Sequence, residues 1–282
     1  MNGIRLSMAL PGRSTADILD IAAAAEHWNL GGLWVGDPRG RAANSDDSYV
    51  TTTLAALASR TQDLRLGAFL TLRGSSSPIH LAEDLGVADQ ASGGRIEIGL
   101  VAPRADRSRW AADAASLLNA WHEVALPGGE MASVVPAPAQ PVMPRIVVGG
   151  SAGLAASLLA GRGVFHSARP KAAAPVRKAR LVRDRVVLIV DAPFTGAVQS
   201  WLASSPETCV DDLLARARAA SAGEVVFVVK RGVRLAEADL KALGTVVIPA
   251  LRASGPDRAT IVANAWTWLT EKGDIHEAPP GP

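Results

Sequence analysis

Cysteine is almost missing from this chain. Cys209 stands alone, so no disulfide can close within the chain and a cysteine-rich metal centre is excluded. Such usage fits a reducing compartment. A charge excess is missing too: 29 Lys and Arg face 27 Asp and Glu, a formal surplus of +2. Tyrosine occurs once, and no basic stretch is interleaved with aromatics, so the electrostatic footprint of a nucleic-acid binder is absent. No apolar run approaches the roughly 20 residues that a membrane-spanning helix needs. The start, Met1 to Gly12, has neither the basic head nor the long apolar stretch of a secretory leader. These absences set the expectation of a cytoplasmic protein with no nucleic-acid or membrane partner. His27, His80, His122, His166 and His276 show no metal-ligand spacing, so no metal is expected. The Gly-x-Ser-x-Gly elbow of a serine hydrolase is also lacking.

What the chain does have is apolar material, 48% of its residues, arranged in alternating short runs and helical patterns. Ile4–Leu10 is a strand ended by Pro11 and Gly12, and Ser14 or Thr15 caps a helix over Ala16–Trp28. Gly32–Gly36, Leu64–Leu72 and Arg95–Val101 are further strands, separated by helices from Asp47 or Ser48 to Ser59 and over Ile79–Ala91. Ser92-Gly93-Gly94 stops the second of these. Strict alternation predicts parallel βα units. Beyond a helix over Ser108–Trp121, Pro127–Pro144 reads as a loop. Strands are then predicted at Arg145–Val148, Gly163–His166, Val186–Val190 and Glu224–Val229, with helices over Ala152–Gly161, Pro206–Ala222, Leu235–Leu243 and Asp257–Leu269. Arg169–Arg185 is dense in Lys and Arg and is assigned to the surface. Eight strands with intervening helices fit a (β/α)₈ TIM barrel over residues 1–272 as a single domain, with 273–282 as a flexible tail. An open doubly wound sheet is the competing architecture.

Sites in such barrels lie at the C-terminal ends of the strands. That rule selects Asp37, Thr71, Val101 to Arg104, Gly149 to Gly153, and Asp191. Gly149-Gly150-Ser151-Ala152-Gly153 is the best physical candidate. Small residues where a strand meets a helix let backbone N–H groups approach a phosphate, though a tight packing turn explains them equally well. On local grounds, Asp37 before Pro38 is better explained by an Asx turn than by a ligand contact.

Three ordered segments carry a resemblance to a known family: AAAAEHWNLGGLWVGDP (22–38), TTLAALASRTQDLRLGAFLT (52–71) and SPIHLAEDLGVADQASGGRIEIGL (77–100). They are similar to blocks of the luciferase-like family of flavin- or coenzyme F-420-dependent oxidoreductases and monooxygenases. A weaker likeness resumes at PRIVVGGSAGLAASLLAGR (144–162). The resemblance implies a luciferase-like barrel with a shortened insertion after strand 4. It implies FMN or coenzyme F-420 bound at the C-terminal mouth, a small organic substrate, and a homodimer. Carried over by position, the cofactor-binding residues would be Asp37, Ala68, Phe69, Leu70, Thr71, Gly149, Gly150 and Ser151. Ala68–Leu70 falls where many members have a bulge supporting the ring. The chain also departs from the family's pattern. Pro38 stands where deazaflavin members have His, and Val101, Pro103 and Arg104 stand where glycines and an acid are usual. No catalytic residue is assigned, and the alternative reading is a non-catalytic barrel that serves as a binding or partner subunit.

Overall fold

A computed structural model describes residues 3–40, 47–73, 77–103, 106–121, 124–125, 131–132, 135–140, 144–149, 163–167, 186–194, 198–203, 205–253 and 257–271. The predicted strands form. They are β1 (Arg5–Ala9), β2 (Gly32–Val35), β3 (Arg65–Leu70), β4 (Ile96–Val101), β5 (Arg145–Gly149), β6 (Gly163–Ser167), β7 (Val186–Asp191) and β8 (Glu224–Val228). All pair in parallel, and β8 returns to β1 with Arg5 opposite Glu224 and Ala9 opposite Val228. The result is a closed barrel, not an open sheet.

Local chemistry sets the helices around it. Ser14 accepts a hydrogen bond from the Asp17 N–H and opens α1 (Thr15–His27), which Asn29 ends with a left-handed φ of 56°. Helix α2 (Asp47–Ala58) follows β2. Ser77 caps α3 (Pro78–Ala91), whose first residue, Pro78, lacks an N–H that would be unpaired there anyway. Helix α4 (Arg107–Asn119) follows β4. Within the predicted 127–144 loop, Met131–Ala132 pairs antiparallel with Val124–Ala125. A short α5 (Val198–Leu202), not foreseen from the sequence, precedes α6 (Pro206–Ala219). After β8, α7 (Glu237–Ala242) does not stop near Leu243 as expected. It runs through a π-helical turn at Leu243–Val247 into α8 (Ile248–Arg252). Pro249 sits in the first turn of α8, where proline is tolerated. Helix α9 (Asp257–Glu271) closes the described chain. The predicted helix at 152–161, the basic stretch at 169–185 and the tail at 273–282 lie outside the described residues.

Alternation along each strand sorts side chains to two cores. Leu6, Met8, Leu33, Val35, Ala68, Leu70 and Ile98 point outward into the layer between barrel and helices. Ala9, Trp34, Phe69, Val101, Val147, Val187, Ile189, Val226 and Val228 fill the barrel interior. Trp34 and Phe69 dominate that interior, stacked with ring centroids 4.6 Å apart. Burying each stabilises the fold by about 3 kcal/mol. Their rings fit because the neighbouring strands carry glycine. A Cβ at Gly67 would lie 2.1 Å from the Trp34 ring, and one at Gly99 would lie 2.5 Å from Phe69.

Candidate active site at the barrel mouth

The polar residues of the barrel fall into three groups. The first is at the floor. Arg5 from β1 and Arg145 from β5 each bond both Glu97 from β4 and Glu224 from β8, at 2.5–2.9 Å. Ser7 donates to Glu224 at 2.7 Å, and the Trp34 indole N–H reaches the same carboxylate at 3.3 Å. Burial opposes the charge on Glu224, but the Arg5 and Arg145 guanidinium groups outweigh it and hold its carboxyl down at about 2. The same carboxylates raise Arg5 and Arg145 above the ordinary arginine value despite burial. This network seals the N-terminal end of the barrel, far from where βα loops build active sites.

The second group ties the loops at the same end. The Arg95 guanidinium donates to the carbonyls of Ala58, Thr61, Leu64 and Ser92 and to the Thr61 hydroxyl. Glu26 accepts from the backbone N–H groups of Gln62, Asp63 and Leu64. Burial would raise its pKa, but those three bonds, helped by Arg95, lower it. Asp89 accepts from Ile96 N–H and from Gln140. Glu26, Asp89 and Arg95 therefore hold loops at the end of the barrel opposite the mouth.

The third group is the mouth. Gly36 to Gly40 leave β2 and fold inward over the C-terminal ends of the strands. Asp37 is only 6% exposed, and its Oδ1 accepts from the Arg39 N–H at 2.9 Å, the Asx turn considered from the sequence. Pro38 is buried beside it. Arg39 pairs with Asp191 at the end of β7, 2.7 Å away. The Gly40 carbonyl accepts from Arg73 at 2.7 Å, and the Gly40 Cα region lies against Val101 and Thr71.

Thr71 follows β3 and is 2% exposed. Its N–H and that of Leu72 donate to the two oxygens of the buried Asp47 carboxylate, at 3.0 and 2.9 Å. This clamp holds Leu72 at a left-handed φ of 50° and, by strand alternation, turns Thr71 inward. The Thr71 hydroxyl is buried with no hydrogen-bond partner among the described residues.

Other expected positions differ. Ala68 and Leu70 face outward into the helix layer, so only their backbone is near the mouth. Phe69 faces inward but lies fully buried under the stack with Trp34. The bulge expected over Ala68–Leu70 is not there. Strand β3 pairs with β4 in unbroken register from Leu66 to Leu70, and the one cis peptide among the described residues joins Val135 and Pro136. With Gly67 and Gly99 making room for both rings, the strand has no need to bend. Gly149 ends β5 opposite Val101, and its carbonyl accepts from the Ala102 N–H at 2.9 Å. Gly150, Ser151 and Arg104 lie outside the described residues. Val101 is buried at the mouth, and Pro103 is half-buried beyond it. His80 is exposed on α3. Sequence reasoning passed over Arg39, Arg73 and the clamping role of Asp47, because each acts through a residue distant in the chain. No group of three or more His, Cys, Asp or Glu among the described residues is arranged to hold a metal. No helix among them is long and apolar enough to cross a membrane.

Residues 3–183 match the luciferase-like monooxygenase family. No curated protein matches the chain by sequence. Among solved structures, an F-420-dependent secondary alcohol dehydrogenase in complex with an F-420–acetone adduct superposes with a TM-score of 0.65 at 12% identity, over 90% of this chain and 100% of that one. The FMN-bound oxygenating constituent of 3,6-diketocamphane monooxygenase, a type II Baeyer–Villiger enzyme from Pseudomonas putida, gives 0.63 at 12% identity, over 88% and 99%. The coenzyme F-420-dependent tetrahydromethanopterin reductase from Methanopyrus kandleri gives 0.61 at 14% identity, over 88% and 99%. At these identities the likeness shows the shared barrel.

Proposed function

Because this chain belongs to the luciferase-like monooxygenase family, we propose that it is an oxidoreductase that binds FMN or coenzyme F-420 at the barrel mouth and acts on a small organic substrate. The observation that carries this reading is the Thr71 hydroxyl. It is buried at the C-terminal end of β3 with no partner among the described residues. A buried, unpaired hydroxyl costs about 1–3 kcal/mol, which a ligand acceptor or donor would recover. The mouth suits such a cofactor in two further ways. Gly149 offers backbone without a side chain, and Asp47 pre-sets the β3 end so that Thr71 needs no reorganisation. Thr71 and Gly149 are the groups that would hold the cofactor.

When bound, the cofactor would supply the hydride or oxygen chemistry. The protein's own residues do less. Pro38 carries no titratable group, so no proton is held or moved at that position. The buried Val101 and the strap from Gly36 to Gly40 lie against Thr71 and keep it from solvent. Water exclusion and orientation are the contributions this mouth is built to make. The absence of a titratable group at Pro38 and the side chain at Val101 favour one second reading, a non-catalytic barrel that serves as a binding or partner subunit.

Fluorescence titration of the folded protein with FMN, and with oxidised and reduced F-420, tests the proposal. Saturable micromolar binding of either cofactor is expected. No saturable binding of any of them, by a protein whose unfolding is cooperative, refutes the oxidoreductase reading and leaves the partner-subunit one.

A further inference from the structure

We propose that Gly36–Gly40 is a gate over the barrel mouth, hinged at its two glycines and latched shut by the Arg39–Asp191 ion pair. The gating of a cofactor rests on the reading above; the latch does not.

Four observations carry it. The strap leaves β2 yet touches strand ends on both sides of it. In one direction it passes β3 and reaches Val101 of β4, where a Cβ on Gly40 would stand 3.3 Å from Val101 Cγ1 and 3.7 Å from Thr71 Cγ2. In the other it passes β1 and β8, and Arg39 pairs with Asp191 of β7. A segment that spans from β4 to β7 lies across the opening.

The ends of the strap are special. Gly36 has φ 91° and Gly40 has φ 60°, conformations that residues with a side chain rarely adopt. At Gly36 a Cβ would also lie 2.5 Å from the Phe69 carbonyl, so the closed position demands glycine there. Between the hinges the strap is internally braced. Asp37 binds the Arg39 N–H through its side chain and the Gly40 N–H through its carbonyl, and Pro38 fixes one φ. It is therefore suited to move as one piece.

What the strap covers is the group that the proposed function needs uncovered. Thr71, 2% exposed, and Val101, 4% exposed, lie under it. Displacing it would open a path from solvent to Thr71. Among the contacts that tie it to the rim are Arg39 to Asp191 and the Arg73 guanidinium to the Gly40 carbonyl. Asp191 is 48% exposed at its side chain, so solvent and salt screen the pair.

The test compares the full-length wild-type protein with Asp191→Asn, at low and high salt. Hydrogen exchange of a peptide covering 36–40 reads the strap, and stopped-flow association of FMN and of F-420 reads access. In Asp191→Asn the strap should exchange about three-fold faster, as expected for loss of a half-exposed ion pair, with amides of β3 and β4 unchanged. High salt should accelerate the wild-type strap and leave the variant's unmoved. The cofactor should associate faster with the variant by a similar factor. Unchanged exchange at 36–40 overturns the latch. Faster exchange with an unchanged association rate overturns the gate. If neither cofactor binds either protein, the cofactor reading fails, while faster and salt-insensitive exchange in the variant still supports the latch.

Discussion

Glu224→Gln should be the most damaging near-isosteric change in this protein. The substitution keeps the shape of the side chain and removes one of two carboxylates from the barrel floor. Arg5 and Arg145, with side chains 26% and 23% exposed, would then share Glu97 as the remaining floor carboxylate among the described residues. The bonds lost or weakened are those to Arg5 at 2.5 Å, Arg145 at 2.6 Å, Ser7 at 2.7 Å and Trp34 at 3.3 Å. Two routes give the magnitude. Removing one member of a buried ion network costs about 3–5 kcal/mol. Independently, the Glu224 carboxyl falls from 4.5 to about 2 on folding. At 1.36 kcal/mol per pH unit that linkage is worth about 3 kcal/mol. Both point to about 3 kcal/mol, a large part of the roughly 5–15 kcal/mol that stabilises a typical domain.

The sign of the pH dependence follows. A carboxyl depressed by folding contributes fully above its unfolded value and loses that contribution as pH falls towards its folded value. The difference between wild type and Glu224→Gln should therefore be about 3 kcal/mol at pH 7, and should shrink through the window from 4.5 to about 2. Urea unfolding followed by tryptophan fluorescence, repeated down the pH series, measures it. A difference under about 1 kcal/mol at neutral pH, or one that does not narrow with acid, would refute the claim that this network holds the barrel floor.

Three further changes separate structural from functional roles at the mouth. Thr71→Val deletes an unpartnered buried hydroxyl, so urea unfolding should show unchanged or higher stability, by up to about 1 kcal/mol, while cofactor affinity falls about five-fold in the fluorescence titration. Asp47→Ala strips the acceptor from two buried N–H groups and should cost about 3 kcal/mol by the same unfolding measurement, with Asp47→Asn recovering part of it. Gly99→Ala pushes a methyl group to within 2.5 Å of Phe69, a ring already pinned against Trp34, and should lower stability by about 2 kcal/mol; a second change, Phe69→Leu, should restore part of it.

The barrel was legible because its strands repeat one arrangement: a short apolar run, then a turn residue, then a helix start. The floor was half legible. Arg5, Glu97, Arg145 and Glu224 each stand at or next to the head of an otherwise apolar strand, and Arg5-Ser7 shows the two-residue period of an inward face. Their pairing was not legible, since Arg5 and Glu224 are 219 positions apart and become neighbours only when β8 closes on β1. The π-helical turn was hidden for a different reason. Gly244 and the β-branched Thr245-Val246-Val247 read as a helix end, whereas the glycine is required by packing: a Cβ there would lie 2.4 Å from the Trp28 carbonyl. The identifying blocks include Glu26, Asp89 and Arg95, which hold loops at the opposite end from the mouth, as well as Asp37 and Thr71, which lie at it. Those blocks were thus good guides to fold, and guides to the mouth only at the residues that end β2 and β3.

Pro38 shows how the two levels join. In the sequence it is a loss, the removal of a titratable group from the end of β2. In the structure it is buried in the middle of a five-residue strap, between Gly36 at φ 91° and Gly40 at φ 60°. A proline cannot share in the hinge motion, because its ring fixes φ near −65°. Pro38 thus removes one torsion from the strap, and the two glycines are where a change of backbone direction costs least. Pro38→Ala tests this directly. It keeps both hinges and the Arg39–Asp191 pair but frees one more torsion, so hydrogen exchange at 36–40 should rise without the salt dependence that Asp191→Asn abolishes being lost. If Pro38→Ala leaves exchange at 36–40 unchanged, the stiffness of the strap comes from the Asp37 hydrogen bonds alone, and the proline has no part in how the mouth opens.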